Sequence, residues 1–463
     1  MPVISGIPST VLNVVQTGLL KRGWYDALYP ALLFRDEAAD EEWEGHIGVE
    51  ALVTRRGLLA PKITPRQPGV DPSPQSPSFE QWIELLEQYG DAMDVHVPTS
   101  AHASGDLFMN DVKVLGLSGA QAVNRLVRNR LYKAYEAGHA VLIAATAAGD
   151  LTIRVSNLNG FTDYVSTVTV RPVPISASTP LPIQIINGAT TISRNAIAYA
   201  PDDASDPFGP GTLTLSVAVG AIVAARAPVL ATNRAPVVRS GGGLSVDAIG
   251  PSDILTLQDV TNAVTILRAN RVPTHEDGTY HLHLPPQLEG QVYSDPGFRV
   301  LNTGLPDHTY FAELLIARML GCEWGLNTEC PDYSNVGPLV ATGTNAFYGT
   351  EIGSEVINNS GVNIARAIVT GRGSVYERYV DEMKQYVTEA GLTGKQGDFA
   401  LTNMGVAVEA NHIRLIVRAP VNRAQDTVSL MWSYTGCFPI PTDVASGTSA
   451  RYKRAVVIQS ARD

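Results

Sequence analysis

Two histidines separated by one residue are the first candidates for chemistry in this sequence. Polar and apolar side chains alternate in the segment YHLHL, residues 280–284, which predicts a strand with His281 and His283 on one face. Histidine is a common zinc ligand, and His275 and Glu289 lie nearby in the sequence. Zinc needs three or four enclosing ligands, so the favoured alternative is a scaffold strand whose leucines face a core and whose histidines face water or a neighbouring molecule.

A second, weaker metal candidate comprises Asp94, His96 and His102. The sequence has no GxxxxGK[ST], GxSxG or HExxH motif, and no GxGxxG follows a predicted strand. Abundant Asp and Glu residues without a paired arrangement are weak evidence for acid–base catalysis. We therefore predict no catalytic residue, no cofactor and no metal site.

The composition is that of a large folded protein. The chain has 463 residues, of which 44% are hydrophobic, and this length suggests roughly three domains. A net charge of -11 without a basic stripe argues against binding of DNA or an anionic membrane through phosphate neutralisation. Cys322, Cys330 and Cys437 are too few and too widely spaced for a disulfide framework or a zinc knuckle. The sequence lacks a signal-peptide pattern and an apolar run of about 20 residues, which predicts synthesis in the cytoplasm.

The first part of the chain is predicted to be extended. Residues 1–48 form a mildly apolar arm that ends in the acidic run 36–44. A solvated helix face is the favoured interpretation of that run, and an arm whose charges meet a neighbouring subunit is the alternative. Residues 57–77 contain six prolines, which exclude a helix or a central strand and predict a semi-rigid excursion.

A long amphipathic helix is predicted next. Ser118 and Gln121 match a capping box, and Gly138 is a candidate C-terminal stop. The predicted apolar stripe consists of Val123, Leu126, Val127, Leu131 and Ala134. The basic residues placed off this stripe are Arg125, Arg128, Arg130 and Lys133. A solvated or ion-paired face is favoured for them over a nucleic-acid interface.

The composition changes abruptly over residues 148–247, which contain no Lys and no Glu. The alternating stretches LTIRVSN, YVSTVTVRPV and TLTLSVAV are separated by turn clusters such as PDDASDPFGPG. These features predict an all-β module inserted between two helices of a parent fold. The second of those helices begins at Thr256 as N-cap, and its apolar face consists of Leu257, Val260, Val264 and Leu267.

The remaining segments predict a mixture of helices and strands. Helices are predicted through residues 310–315, with Asp307 as cap, and over VYERYVDEMKQYV at 375–387. Strands are predicted for IRLIVR, TVSLMW and RAVVI. This order indicates the α+β class and not a doubly wound repeat.

Several motifs resemble those of one protein family. The run 277–302, followed by a helix and LGCEWGLNTECP, resembles the central stretch of tailed-bacteriophage major capsid proteins of the N4-like branch. In that family a helix ending in "anrvp" leads to a Gly-Tyr strand, an "h-P" turn and a later Glu-x-Pro. The matching positions here are ILRANRVP at 266–273, Gly278, Tyr280, Pro285, Glu329 and Pro331. GTSARYKRAVVIQ and IRLIVRAPVNRAQD are similar to the last two strands of the family, whereas residues 148–247 are not covered.

The resemblance implies the Hong Kong 97-type (Johnson) capsid fold. The implied division is a 1–48 N-terminal arm, a 49–112 E-loop, a 113–147 P-domain spine helix, a 148–247 inserted β-rich domain, a mostly A-domain 248–370, and a 371–463 part that returns to the P-domain. The proline-rich excursion would then lie over the adjacent subunit. Covalent crosslinking, known for some relatives, would need an E-loop lysine, and Lys62 is the only one there.

The implied function is that of a structural, non-enzymatic major capsid protein of the virion. It would be made in the host bacterial cytoplasm and would self-assemble into pentamers and hexamers around double-stranded DNA, without sequence-specific DNA binding or a membrane. Portal and scaffolding proteins are implied partners, and a cementing protein is an open alternative. The alternative functions are a β-rich phage tail or adhesin-type glycan-binding protein and, third, a metal hydrolase.

Overall fold

The structure is a computed structural model of the chain. It describes residues 33–43, 50–56, 79–96, 107–165, 172–303, 318–336, 348–380, 400–402, 405–418, 427–443 and 451–462, with a few single residues between 57 and 78. The predicted helix at 310–315, its cap Asp307 and the second half of the predicted helix at 375–387 lie outside these residues.

The described elements confirm the predicted α+β class. The α-helices are α1 Leu107–Tyr135, α2 Leu257–Ala269, α3 Pro286–Ser294 and α4 Pro296–Thr303. The strands are β1 Ala38–Glu42, β2 Glu50–Arg56, β3 Phe79–Leu85, β4 Glu87–His96, β5 His139–Val141, β6 Thr152–Val155, β7 Asp163–Tyr164, β8 Val173–Pro174, β9 Leu181–Asn187, β10 Thr190–Pro201, β11 Gly211–Leu215, β12 Pro228–Ala231, β13 Val237–Arg239, β14 Tyr280–Leu284, β15 Arg318–Met319, β16 Cys322–Leu326, β17 Tyr348–Gly349, β18 Ser354–Glu355, β19 Ile364–Thr370, β20 Val375–Tyr379, β21 Ala400–Thr402, β22 Gly405–Ala410, β23 Ile413–Arg418, β24 Thr427–Cys437 and β25 Ala455–Ala461.

The chain divides into two compact units. The first consists of Met1–Ala51, Ile83–Arg128 and Val375–Pro439, and the second consists of Leu52–Trp82, Asn129–Ser374 and Ile440–Asp463.

The first unit is built on a seven-stranded sheet in the order β1-β20-β24-β23-β22-β21, with β4 also paired to β24. Strand β24 is antiparallel to β4 from Thr427 opposite His96 to Gly436 opposite Glu87. Its side chains Val428, Leu430 and Trp432 are buried, as alternation along a half-buried strand requires. The strands predicted for IRLIVR and TVSLMW are therefore confirmed.

Two predicted helices in this unit are strands. The acidic run contributes a single 3-10 turn and then β1, which is parallel to β20 in the segment predicted as helix 375–387. Glu377 on β20 is fully buried because the Arg35 guanidinium donates to both of its carboxylate oxygens, at 2.7 and 2.6 Å, and the Tyr434 hydroxyl donates at 2.9 Å. Helices were predicted because the charged residues of both segments were assumed to be exposed to solvent, as on the outer face of a helix. A buried ion pair makes the strand possible.

Helix α1 begins at Leu107, eleven residues before the predicted start at Ser118. The apolar spacing continues upstream through the buried Phe108, Val112 and Leu115, so Ser118 is an exposed residue within the helix and does not cap it. The helix ends at Tyr135, and Gly138, the predicted C-terminal stop, follows with a left-handed φ of 85°. Within the described residues no helix is both long and apolar enough to span a membrane.

The faces of α1 differ in part from the prediction. Val123, Val127 and Leu131 are buried, but Leu126 is only half-buried. Arg128, predicted to lie on a solvated or ion-paired face, is fully buried. The stripe was therefore located correctly, but its width was underestimated.

Leu131→Asp is expected to give insoluble protein. The side chain is fully buried, so an aspartate there would place an unpaired carboxylate in the core at a cost of several kcal/mol. The fraction of soluble protein after expression is the measurement, with Leu131→Met as the volume-conserving control. Soluble Leu131→Asp protein with the wild-type circular dichroism spectrum would contradict this assignment.

The second unit contains a six-stranded antiparallel sheet in the order β5-β12-β9-β10-β11-β6. Its two end strands also meet, since the Ile143 amide donates to the Arg154 carbonyl and the Ser156 amide donates to the Val141 carbonyl, both at 2.9 Å. The sheet therefore closes into a barrel. Its core residues include Leu142, Ile153, Phe161, Leu181, Ile183, Ile185, Leu213, Leu215 and Val229. The stretches LTIRVSN and TLTLSVAV are strands as predicted, and YVSTVTVRPV lies largely outside the described residues.

The closed barrel leads to a comparison of two fragments. Strand β5 precedes the predicted insertion start at 148 and pairs with β12. Fragment 148–247 therefore lacks one strand of the barrel. We expect fragment 137–236 to be β-rich and to unfold cooperatively, because a complete barrel has its own core. We expect fragment 148–247 to be less stable or aggregated, because its open edges are unpaired. Circular dichroism melts measure both, and random-coil spectra for both would show that the rest of the chain is needed to order this region.

A mixed six-stranded sheet in the order β13-β25-β19-β14-β16-β15 completes the second unit. Helix α2 begins at Thr256, whose capping box with Asp259 confirms the predicted N-cap. The predicted face of α2 is buried in the core cluster that also contains Tyr280, Leu282 and Leu284 of β14. Strand β25 confirms the strand predicted for RAVVI, and all seven of its residues are buried.

Candidate functional site

The predicted strand 280–284 is confirmed as β14, which is parallel to β16 and antiparallel to β19. His283 is buried, contrary to the predicted exposed histidine edge, and its Nδ1 lies 3.4 Å from Asn327 Nδ2. His281 is half-buried and stacks on His275 with ring centroids 3.8 Å apart. The two histidines share a face, but neighbouring elements cover only one of them.

A different pair of acids approaches His281. Ligand atoms of Asp277, His281 and Glu323 all lie within 4.8 Å of one another. Arg318 already binds both carboxylates, with Nη2 at 3.2 Å from Asp277 and 2.9 Å from Glu323. Although desolvation opposes it, hydrogen bonding from the Thr279 hydroxyl and amide lowers the pKa of Asp277 to about 2. A cation at this cluster would have to displace the guanidinium, so the geometry describes an ion-pair network.

The other candidate ligands are not assembled into either predicted site. Glu289 lies on α3, where it accepts a hydrogen bond from Tyr293 at 3.4 Å, and it belongs to no three-ligand group among the described residues. Asp94 and His96 lie on β4, and His102 is outside the described residues. The three cysteines are free and buried, and burial raises the pKa of the Cys322 thiol to about 12.

The strand pair β2–β3, called the ribbon below, has an inverted distribution of side chains. It forms a two-stranded sheet of its own. On β3 the acidic Glu80 and Glu84 are buried, whereas Phe79, Ile83 and Leu85 are 42%, 51% and 52% exposed. Gln81 donates to the Thr54 hydroxyl at 3.0 Å, which places Leu52, 52% exposed, on the same side as these residues. One face of the ribbon is therefore apolar and about half-exposed.

The opposite face of the ribbon is attached to the protein by ion pairs. Arg55 lies 3.2 Å from Glu80 and also pairs with Asp443, and its guanidinium stands 6.0 Å over the Trp82 ring. Glu80 also accepts from the Thr442 hydroxyl and the Asp443 amide. These contacts explain why β3 directs Glu80 inward, because both oxygens of that carboxylate have a partner.

The ribbon face was missed by sequence reasoning. FEQWIEL alternates like an ordinary amphipathic strand, which would turn Phe79, Ile83 and Leu85 toward a core. The one available signal was Trp82, which shares a face with two glutamates. Lys62, the candidate for crosslinking, is exposed in the segment between the two ribbon strands.

A network of buried charges connects several segments of the second unit. Glu136, just beyond α1, accepts from Arg366 Nε and Gln459 Nε2, both at 2.7 Å. Arg226 forms bidentate pairs with Asp247 and Glu355. Burial raises the pKa of Glu355, and the Arg226 charge opposes that rise. These groups are saturated with partners, which is typical of structural ion pairs.

Comparison with known proteins gives matches among solved structures alone. No protein-family model and no curated protein matches the sequence. The capsid of Ralstonia phage GP4 is similar at 11% identity and a TM-score of 0.47, covering 92% of this chain and 85% of that chain. The Cyanophage Pam1 capsid asymmetric unit is similar at 10% identity and a TM-score of 0.46, covering 95% and 92%. The capsid structure of Cyanophage P-SCSP1u is similar at 10% identity and a TM-score of 0.43, covering 94% and 89%.

Proposed function

We propose that this chain is the major capsid protein of a tailed bacteriophage, with a Hong Kong 97-type fold, and that its copies form the pentamers and hexamers of an icosahedral head. The observation that carries the proposal is the ribbon, whose apolar face is half-exposed while its acids are buried. The sequence resemblance supports the same conclusion, since it assigns the ribbon to the E-loop that crosses a neighbouring subunit.

The ribbon face favours a partner on energetic grounds. A two-stranded ribbon is marginally stable by itself, and an exposed apolar patch on it is typical of an interaction surface. Complete burial of a side chain of this kind contributes about 1.5–3 kcal/mol, so burial of the half-exposed Leu52, Phe79, Ile83 and Leu85 contributes about half of that each. In a closed ring the same contact recurs at every subunit, because one surface meets a different surface of the next copy. A second copy of this chain is therefore the proposed occupant.

The proposed domain assignment follows the resemblance, with several changes of boundary, among them the transfer of β25 to the A-domain sheet. We assign the spine helix to α1, Leu107–Tyr135, and the inserted β-domain to the barrel that begins at β5. The mixed sheet with α2 corresponds to the A-domain, and the first-unit sheet to the P-domain. The net charge of -11 suits a shell that encloses double-stranded DNA without gripping it. Portal and scaffolding proteins are proposed partners, and the virion capsid is the proposed location.

Deletion of residues 57–77 is expected to leave a soluble subunit that fails to form stable shells. The deleted segment joins the two ribbon strands, and in this proposal its contacts are made with another copy. Negative-stain electron microscopy and sedimentation velocity would measure assembly, with circular dichroism as the fold control. Normal shells from the deletion variant would contradict the E-loop assignment.

Microscopy of the unmodified purified chain tests the proposal as a whole. Shells, rings or tubes are the expected result. A protein that stayed monomeric or trimeric and bound sugar would instead favour the glycan-binding alternative, and bound zinc with hydrolase activity would favour an enzyme.

A further inference from the structure

One cavity of the second unit combines size, positive charge and hydrogen-bond donors. It holds about 550 Å³ and lies between β12, the segment leading into β13, the glycine-rich turn after β13, and α2. Its charged or ionisable lining residues are His139, Arg234 and Arg239, and among the described residues no carboxylate lines it. A cavity of this size with only cationic charge is suited to an anionic ligand.

The two arginines differ in how much of their hydrogen-bonding capacity is used. Arg239 is buried, and its Nε donates to Gln459 at 2.8 Å while its Nη1 donates to the Leu244 carbonyl at 3.1 Å. Arg234 is half-buried, and among the described residues its one hydrogen bond is a long 3.4 Å contact from Nη1 to the Ala231 carbonyl. Most N–H donors of the Arg234 guanidinium therefore remain available to bind a ligand. A half-buried guanidinium normally has an anionic partner.

The electrostatics of the cavity also favour an anion. Burial lowers the pKa of Arg239 to about 10, and the positive charges of Arg366 and Arg234 act in the same direction. Burial likewise lowers the pKa of Arg234. Both groups stay protonated at neutral pH, so an anion between them would relieve their repulsion.

The rest of the wall leaves room and a further donor. Gly242 and Gly243 line the cavity without side chains, and a Cβ on Gly242 would meet no atom within 4 Å. Asn262 on α2 is exposed, and its Oδ1 accepts from Gln258 at 2.9 Å, which leaves its amide NH2 group to donate.

We propose that this cavity binds a small oxyanion of the phosphate or carboxylate type, with the Arg234 fork as its principal ligand and Arg239 and Asn262 as supporting donors. The planar guanidinium matches two oxygens of either group. This site is independent of the ribbon and of the proposed capsid function.

Isothermal titration of the full-length chain tests the site. Sodium phosphate and sodium succinate are titrated separately at an ionic strength held constant with sodium chloride. Saturable binding of at least one of them is expected, and the tighter of the two identifies the source of the oxyanion. Arg234→Gln is expected to weaken that binding at least tenfold, and Arg234→Lys to weaken it less, because lysine keeps the charge but loses the fork.

Two further variants keep the test decisive. Arg154→Gln removes one positive charge from the outside of the same barrel, where Arg154 pairs with Asp202, and it should bind as wild type does. Asn262→Ala removes an exposed donor without threatening the fold and should weaken binding about threefold. Absence of saturable binding, or equal loss in Arg154→Gln and Arg234→Gln, would overturn the proposal.

Discussion

Replacement of both Phe79 and Ile83 by serine is expected to give a folded subunit that no longer forms shells. Both side chains lie on the apolar face of the ribbon and are about half-exposed, so the subunit itself loses only the half of their burial that it already provides. The assembled state loses, in addition, the burial of the exposed half of two apolar groups at every copy of the contact, about 0.75–1.5 kcal/mol for each. Since a shell repeats that contact many times, the loss should be visible as free subunits by sedimentation velocity and electron microscopy.

Ile222→Ser is the matched control for the ribbon variant. Ile222 is 77% exposed on the barrel, so it is at least as accessible and apolar as the ribbon residues but lies outside the ribbon. Shells should form normally with this change. Shells from the ribbon variant, or insoluble protein in place of free subunits, would show that the face is covered within the subunit or is not an interface.

Elements in which apolar residues recur with the regular spacing of a strand or a helix were predicted from the sequence. Strands β14, β23, β24 and β25 and the capped start of α2 were located from alternation, helical spacing and one capping box. In each of them the apolar residues face a core, although β14 also buries His283 and β25 also buries Gln459. The spacing of apolar residues is then sufficient to identify the element, because the pattern of burial agrees with the secondary structure.

The errors occur where charged residues are buried. Glu377, Arg128 and Glu80 each sit inside the protein, where a single-sequence pattern predicts solvent. The two glutamates find partners in segments far away in the chain, Arg35 for Glu377 and Thr442 for Glu80. No local pattern contains that information. The ribbon face was hidden for the same reason, because buried acids on one side imply apolar residues on the other.

The barrel shows a further limit of local reasoning. The alternating strands and the change of composition identified a β-rich insertion. The first strand of the barrel, β5, lies outside the segment that lacks Lys and Glu, and it follows directly after a helix. A three-residue strand carries little periodic signal. Only its pairing with β12 and the closure to β6 reveal that it belongs to the barrel.

Arg366→Met is expected to be among the most destabilising single changes in the second unit. Arg366 is fully buried, and its guanidinium donates to Glu136 at 2.7 Å, to the Ser354 hydroxyl at 3.0 Å and to the Ile364 carbonyl at 3.2 Å. Methionine fills similar space without charge, so the main cost is that Glu136 keeps a buried carboxylate without its cation. Removal of one partner of such a pair typically costs about 3–5 kcal/mol.

The double variant Glu136→Gln, Arg366→Met separates charge from packing. A glutamine at 136 carries no charge and still accepts from Gln459, which donates to the wild-type glutamate at 2.7 Å. We expect the double variant to recover more than half of the free energy of unfolding that Arg366→Met loses, measured by urea denaturation. Arg154→Met is the control, because its pair with Asp202 is largely solvated and should contribute less than about 1 kcal/mol. If Arg366→Met were no more destabilising than Arg154→Met, or if the double variant were less stable than the single one, the network would owe its stability to packing and not to the neutralisation of Glu136.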